Sequence, residues 1–301
     1  MSLLYRERTW PVFLACALLS LVLGTALSFK RPENFQFYAR EGYVGVALGW
    51  IVMSLVGALP FYFTGEIPSF TDSLFEIISG FTTTGASILP RVEDLSNGIL
   101  IWRSFSHWIG GMGVLVFVLQ IMPMTSGQTM HLMRAESPGP SVSKLVPRIR
   151  TTAFFLYGIY VMLTVLEIIL LLLGRLPMFD AVCTAFGTAG TGGFGIRSDS
   201  IAGYSPYVQV VVTIFMMLFG TNFAFYYLII ARKLKDAFCM EEVKLYFGIF
   251  AAATLLITIN ILSQIGNVGD SLGGGLPGCL HHDHTGTATT DFDQWPGPDA
   301  S

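Results

Sequence analysis

Long apolar runs alternate along this chain with short amphipathic ones, and run length sorts the two kinds. Residues 11–29, 43–63, 99–122, 153–173, 208–231 and 245–265 are each apolar for roughly 20 residues, enough for a helix to cross a bilayer core of about 30 Å. Between the second and third runs, and again between the fourth and fifth, lie segments too short and too polar to span, residues 72–87 and 180–195. Each opens on an aspartate, Asp72 or Asp180, suited to a helix start where the backbone dipole favours negative charge. The pattern predicts an all-α, polytopic transmembrane protein in which a helix, pore-helix, loop, helix unit occurs twice.

The two short segments end in glycine-threonine loops, Gly80-Phe-Thr-Thr-Thr-Gly-Ala-Ser87 and Gly187-Thr-Ala-Gly-Thr-Gly-Gly-Phe-Gly195. Glycine lets a backbone carbonyl turn toward a narrow axis, and threonine adds a hydroxyl oxygen, so such a loop suits a desolvated cation. Irregular backbone at membrane depth is tolerated only beside an aqueous path or inside protein. Candidate ion-binding residues are therefore Thr82, Thr83, Thr84 and Gly85 in the first loop, and Gly190, Thr191, Gly192 and Gly193 in the second. Laying Asp72 on Asp180 without a gap places Thr83 on Thr191 and Gly85 on Gly193. A rival register lays Phe81-x-x-x-Gly85 on Phe186-x-x-x-Gly190, so the second loop's central glycine is Gly190 or Gly193, with Gly193 favoured. Close helix packing through small residues is the alternative use of both loops.

Composition supports the membrane reading: the 301 residues are 52% hydrophobic and 12% charged, with a mean hydropathy of +0.62. The net charge of -3 adds nothing, and nothing points to nucleic acid. Cys16, Cys183, Cys239 and Cys279 have no metal-ligand spacing and read as small apolar residues. No nucleophile-base arrangement, phosphate-cradling loop or dinucleotide fingerprint is present, so neither an enzyme nor a cofactor in this chain is expected. Residues 11–29 follow Arg6 and Arg8 as a signal-peptide core would, but no small-residue cleavage site follows, which favours an uncleaved helix. Arg134, Lys144, Arg148 and Arg150 in one loop, and Arg232, Lys233, Lys235 and Lys244 in another, mark residues 124–150 and 231–244 as cytoplasmic. The glycine-threonine loops then face outward, as does the N-terminus, against the pull of Arg6 and Arg8.

Longer strings of residues carry a resemblance. Gly57-Ala-Leu-Pro60, Phe75-x-x-x-Ser-Gly-Phe-Thr-Thr-Thr-Gly-Ala86, Arg103-x-x-x-His-Trp-Ile-Gly-Gly-Met-Gly113 and Arg134-Ala-Glu-Ser-Pro-Gly-Pro140 follow one another in the order and spacing of a known family. Together with Phe179-Asp180 and Thr191-Gly-Gly-Phe194, they resemble the membrane subunit of Trk/Ktr-type bacterial potassium-uptake systems. The resemblance runs over roughly residues 5–265. It implies four non-identical helix, pore-helix, helix repeats around a central potassium path, with one filter glycine per repeat. It also implies the bacterial inner membrane, a homodimer, and a cytoplasmic nucleotide-binding regulatory subunit docking on basic loops such as 124–150 and 231–244. Sodium is the alternative ion.

On that pattern the chain divides into a residual N-terminal element (1–42), a first pore repeat with its cytoplasmic loop (43–150), a second pore repeat (151–240), and the first helix and disrupted pore loop of a third (241–301). Both ends look short against the family. A four-repeat filter does not close with two, so this chain alone is expected to conduct poorly unless two copies assemble. A non-conducting membrane scaffold is the rival reading. Near the C-terminus, Thr285-Gly286 and Ala288-Thr-Thr-Asp-Phe-Asp-Gln-Trp-Pro296 resemble the surroundings of a third filter, with Gly286 its remnant. Before them, Leu276-Pro-Gly-Cys-Leu-His-His-Asp-His284 can be encoded by codons that, one base out of frame, read Phe-Gln-Val-Ala-Ser-Ile-Met-Thr, a plausible pore helix. A local frameshift is expected there, rather than a metal site at His281, His282 and His284.

Other positions carry two readings. Gly110, Gly111 and Gly113 suit a helix-packing groove or a hinge. Arg103 and His107 suit anchoring at the outer end of their span, or pairing with a carboxylate near the pore mouth. Glu167, mid-span in an apolar helix, is either neutral and helix-facing or linked to ion movement. Glu66, Asp72, Glu93 and Asp94 serve either as a cation-attracting vestibule or as solvated loop residues.

Overall fold

The computed structural model describes residue 7 and residues 9–29, 39–113, 149–198 and 200–265. Gly286 and the proposed frameshift, with His281, His282 and His284, lie outside the described residues, as do Cys279 and most of the 124–150 loop. Among the described residues every regular element is helical: α1 (Trp10–Ser28), α2 (Ala39–Thr64), α3 (Phe70–Phe81), α4 (Asn97–Gly111), α5 (Ile149–Leu173), α6 (Met178–Ala189), α7 (Pro206–Gly220), α8 (Phe223–Ile230), α9 (Leu234–Cys239) and α10 (Glu241–Ile265).

The short segments form α3 and α6, each 12 residues long and so about 18 Å, well under a bilayer core. Both carry the expected aspartate in their first turn. Ser69 caps α3 by accepting a hydrogen bond from the Asp72 amide at 3.4 Å. Each short helix is amphipathic, and each is wrapped by its neighbours: α3 packs against α2 and α4, and α6 against α4, α5 and α7.

Each unit has its own core. Ala58, Phe61, Ile77, Phe81 and Ile99 close α2, α3 and α4 together. Tyr160, Leu171, Ala181, Ala185, Val212 and Phe215 do the same for α5, α6 and α7. A smaller cluster of Val92, Leu100, Phe179 and Cys183 joins the two units. The outer faces of α1, α2 and α5 are apolar and uncovered, as at Leu21, Leu48, Ile51, Phe154, Val165 and Leu173. Uncovered apolar faces of this extent mark surfaces that meet lipid or further protein.

The spans are more broken than the hydropathy pattern predicts. Among the described residues, α2 and α5 are long and apolar enough to cross a membrane unaided, and α7 with α8 makes a third if the pair counts as one span. The expected run 208–231 is not one helix: α7 stops at Gly220, the chain is extended at Thr221, and α8 leaves at 88°. The expected run 99–122 likewise stops at Gly111, where Gly113 adopts a left-handed φ of 70°; residues 114–122 lie outside the described residues. Apolar composition carried both runs through these breaks because hydropathy is blind to backbone direction. The physical cause of the break after Gly220 is local. Asn222 accepts a hydrogen bond from the Ala224 amide at 2.9 Å, starting a new helix. Its amide nitrogen donates to Glu242 at 2.7 Å, tying the new helix to the start of α10.

Replacing that residue, Asn222→Ala, is expected to cost about 0.5–2 kcal/mol, the usual loss for an N-cap. Thermal unfolding of the detergent-solubilised protein measures it, and an unchanged midpoint would mean that the cap does not hold the bend.

Candidate ion-conduction site

The two glycine-threonine loops adopt one backbone path. After α3, the Thr82 amide donates to Ile78 O, the Thr83 amide to Gly80 O and the Thr84 amide to Ser79 O. After α6, the Gly190 amide donates to Phe186 O, the Thr191 amide to Thr188 O and the Gly192 amide to Gly187 O. These are the same three closures at the same relative positions. Thr83 and Thr191 have φ of 54° and 51°, and Gly85 and Gly193 have 75° and 77°. The register is thereby decided: Gly193, not Gly190, is the backbone counterpart of Gly85, in line with the Asp72 and Asp180 alignment. Left-handed φ at a threonine is unusual and costs free energy, so finding it twice at matched positions marks a geometry that the surrounding packing enforces.

The loops meet. A Cβ placed on Gly85 would stand 1.7 Å from the Gly192 carbonyl oxygen, so only glycine permits this approach. The first loop is open to one side, with Thr82 and Thr84 exposed, whereas Gly190 and Gly192 of the second are buried. Thr82 Oγ1 donates to Ile78 O at 2.7 Å and lies 2.8 Å from Thr84 Oγ1.

Helix α4 is the wedge between the loops. A Cβ on Gly110 would lie 2.2 Å from Phe81 O, and one on Gly111 would lie 2.8 Å from the Gly190 Cα. These glycines therefore form a packing groove that seats one pore helix on either side of α4. Tyr160 of α5 braces the same region by donating to Trp108 O at 2.9 Å, while Trp108 Nε1 donates to Thr164 Oγ1 at 3.1 Å.

A buried ion pair ties the site together. Arg103 of α4 and Glu76 of α3 are 3% and 0% exposed, and the Arg103 Nε donates to Glu76 Oε1. Glu76 also accepts from Ser87 Oγ at 2.9 Å and from the Ile88 amide at 3.1 Å, which anchors the exit of the first loop. Arg103 Nη1 donates to Gly195 O at 2.9 Å, which anchors the exit of the second. The guanidinium stands 3.5 Å from the Phe194 ring centroid, and the His107 ring stacks on Phe194 at 3.9 Å and 9°. Two groups that close cannot share one face, so the ring is held between them. Arg103 thus finds its carboxylate inside the protein, and His107, fully buried, is not at the interface.

Of the acidic candidates, Glu66, Glu93 and Asp94 have structural partners. Glu66 accepts from the Ser96 amide at 2.8 Å, and Glu7 accepts from the Asn97 and Gly98 amides at 2.8 and 2.9 Å, so two carboxylates satisfy the start of α4. Glu7 therefore lies at the end of the molecule where the loops exit, on the side the charge pattern assigns to the N-terminus. Asp94 pairs with Arg91 at 3.6 Å on the surface. Glu93 accepts 2.6 Å bonds from both the amide and the hydroxyl of Ser198, linking the two loop exits. These bonds hold the Glu93 carboxyl down at about 2.

Comparison with known proteins decides the family. A family model for TrkH, described as a cation transport protein, matches residues 10–269. The chain belongs to the TrkH cation transport family. It is 36% identical over 276 residues to the Trk system potassium uptake protein TrkH of Salmonella typhimurium, covering 90% of this chain and 56% of the relative. It is 36% identical over 264 residues to TrkH of Escherichia coli K12, covering 86% and 54%. The crystal structure of the potassium transporter TrkH from Vibrio parahaemolyticus matches with a TM-score of 0.81 and 27% identity, over 98% of this chain and 62% of that one. The chain thus spans somewhat more than half the length of these TrkH relatives.

Glu76 is the residue that sequence reasoning passed over. Its signal was a carboxylate within a short amphipathic helix, but which arginine it meets depends on how α3 and α4 pack. Removing one partner of a buried pair strands the other charge, so Arg103→Leu is expected to cost about 3–5 kcal/mol. The double variant Glu76→Leu/Arg103→Leu should recover part of that loss in thermal unfolding; no recovery would mean that the pair does not act as a unit. For Glu93 the sign follows from a folded value below the ordinary 4.5. Its link contributes stability above that value and loses it as pH falls toward 2. Protection of the Ser198 amide against hydrogen exchange, taken relative to its intrinsic rate at each pH, should fall over that window in the parent protein, and Glu93→Gln should remove the dependence.

Proposed function

We propose that this chain lines a potassium-selective path across a bacterial inner membrane, with the backbone oxygens of residues 82–85 and 190–193 replacing water around the ion. The observation that carries the reading is the matched pair of left-handed threonine-glycine loops brought into contact at Gly85 and Gly192. Each sits at the end of a 12-residue helix too short to span, the arrangement in which irregular backbone belongs at membrane depth. Carbonyl dipoles at such a constriction select a monovalent cation without a charged side chain. The names of the Salmonella typhimurium and Escherichia coli relatives, potassium uptake proteins of the Trk system, support potassium as the cargo.

The carboxylates nearest the loops are engaged elsewhere, Glu76 with Arg103 and Glu93 with Ser198. They position the loops rather than bind the ion. On this reading the protein is a multi-pass transporter, not an enzyme, and needs no cofactor within this chain. A cytoplasmic nucleotide-binding regulatory subunit docks on the basic loops 124–150 and 231–244, and the assembly is a homodimer.

The test is growth on low potassium of a potassium-uptake-deficient bacterium carrying the full gene that encodes this chain. Gly85→Asp and Thr83→Asp should each abolish uptake at unchanged membrane levels, because either puts a side chain or a charge where the loops meet. Uptake that survives both changes would show that these loops are not the ion path, and a parent gene that restores no uptake would support a non-conducting scaffold.

A further inference from the structure

Helix α5 presents one buried polar stripe, Tyr160, Thr164 and Glu167, at helical spacing. The first two are engaged with Trp108, as described. Glu167 is different. It is 0% exposed, neither of its oxygens accepts a hydrogen bond, and neither ion pair among the described residues, Arg91–Asp94 or Arg103–Glu76, involves it. An isolated carboxylate in such a place is very costly, whereas a carboxylic acid that donates a hydrogen bond is not.

Glu167 lies on the α5 face that packs against α6 through Leu163, Leu171, Ala181 and Ala185, and on α6 the nearby buried hydroxyl is that of Thr188. That hydroxyl already gives its proton to Thr184 O at 2.9 Å, so it has none to offer Glu167 and keeps only lone pairs. Thr188 in turn receives the Thr191 amide on its carbonyl at 2.9 Å, which is the closure that sets the left-handed turn of the second loop. A proton on Glu167 would complement those lone pairs, whereas an ionised carboxylate would meet no donor there.

We propose that Glu167 carries its proton and donates it to Thr188 Oγ1, acting as a positioning residue that fixes the second glycine-threonine loop from behind. The first loop has no equivalent, because Gly80 stands where Thr188 stands in the matched register, and the Glu76–Arg103 pair supports that loop instead. The two loops are thus backed by opposite chemistries, a charged pair and a neutral acid. The transport half of the inference rests on residues 190–193 being part of the ion path.

Two readouts test it on the full-length protein. Infrared spectroscopy of the purified protein should show a carboxylic-acid C=O band that disappears in Glu167→Gln and shifts in Thr188→Val; absence of such a band would overturn the proposal. In transport assays, Glu167→Leu and Thr188→Val should each reduce potassium-over-sodium discrimination severalfold at unchanged membrane level. The double variant should lose no more than either single one, and Glu167→Gln, still a donor, should keep the parent ratio. Discrimination unchanged in Glu167→Leu, or lost equally in Glu167→Gln, would also overturn it. If the parent protein moves no potassium, the function proposed above fails, and the infrared band still decides the proton on Glu167.

Discussion

One buried ion pair organises the region around the loops. Glu76 and Arg103 are held almost wholly out of water, where an unpaired charge of either sign would be prohibitive, so each must find the other and fill its remaining hydrogen-bonding capacity. The way they do so explains much of the local architecture. Glu76 uses its other contacts on the exit of the first loop, and Arg103 uses its own on the exit of the second and on the Phe194 ring. Two helices and two loop exits are therefore joined through two side chains. A pair of this kind need not add net stability, but it specifies which helix faces which.

Around that pair, duplication and divergence stand side by side. Backbone closures, left-handed residues and pore-helix lengths repeat between the two units almost position for position. The supports do not. Ser87 and Ile88 hang on a carboxylate, while the counterpart loop, through Phe194 and Gly195, leans on His107 and Arg103. Non-identical repeats leave each loop free to be tuned by its own surroundings while the shared backbone shape is kept. The glycine pair at Gly110 and Gly111 is what allows this, since α4 touches both pore-helix ends at van der Waals range and any larger residue would push one of them away.

The elements that were easiest to read were those with a one-dimensional signature. The short helices α3 and α6 were visible from length, polarity and an aspartate at the start, and their loops from composition. The alignment of Asp72 with Asp180 carried the correct partner for Gly85 even though a rival register existed. Breaks in helices were harder. Gly220 to Asn222 lies inside an uninterrupted apolar run, so nothing in hydropathy distinguishes an 88° corner from a straight span. Long-range partners were harder still: Glu7 at the start of α4 and Ser198 on Glu93 connect residues about as far apart in sequence as the two repeats themselves.

Run lengths, glycine and threonine content, and the repeat register follow from local chemistry, because a bilayer imposes a length and a tight turn imposes a residue type. Those features were present in the order of amino acids before any packing was known. Which carboxylate meets Arg103, which acid is buried without an ion-pair partner, and where a span turns a corner are properties of neighbours brought together from distant parts of the chain. Such contacts have no signature along the sequence. Electrostatics and hydrogen bonding act over a few ångströms in space, and only the folded arrangement says which residues share those few ångströms.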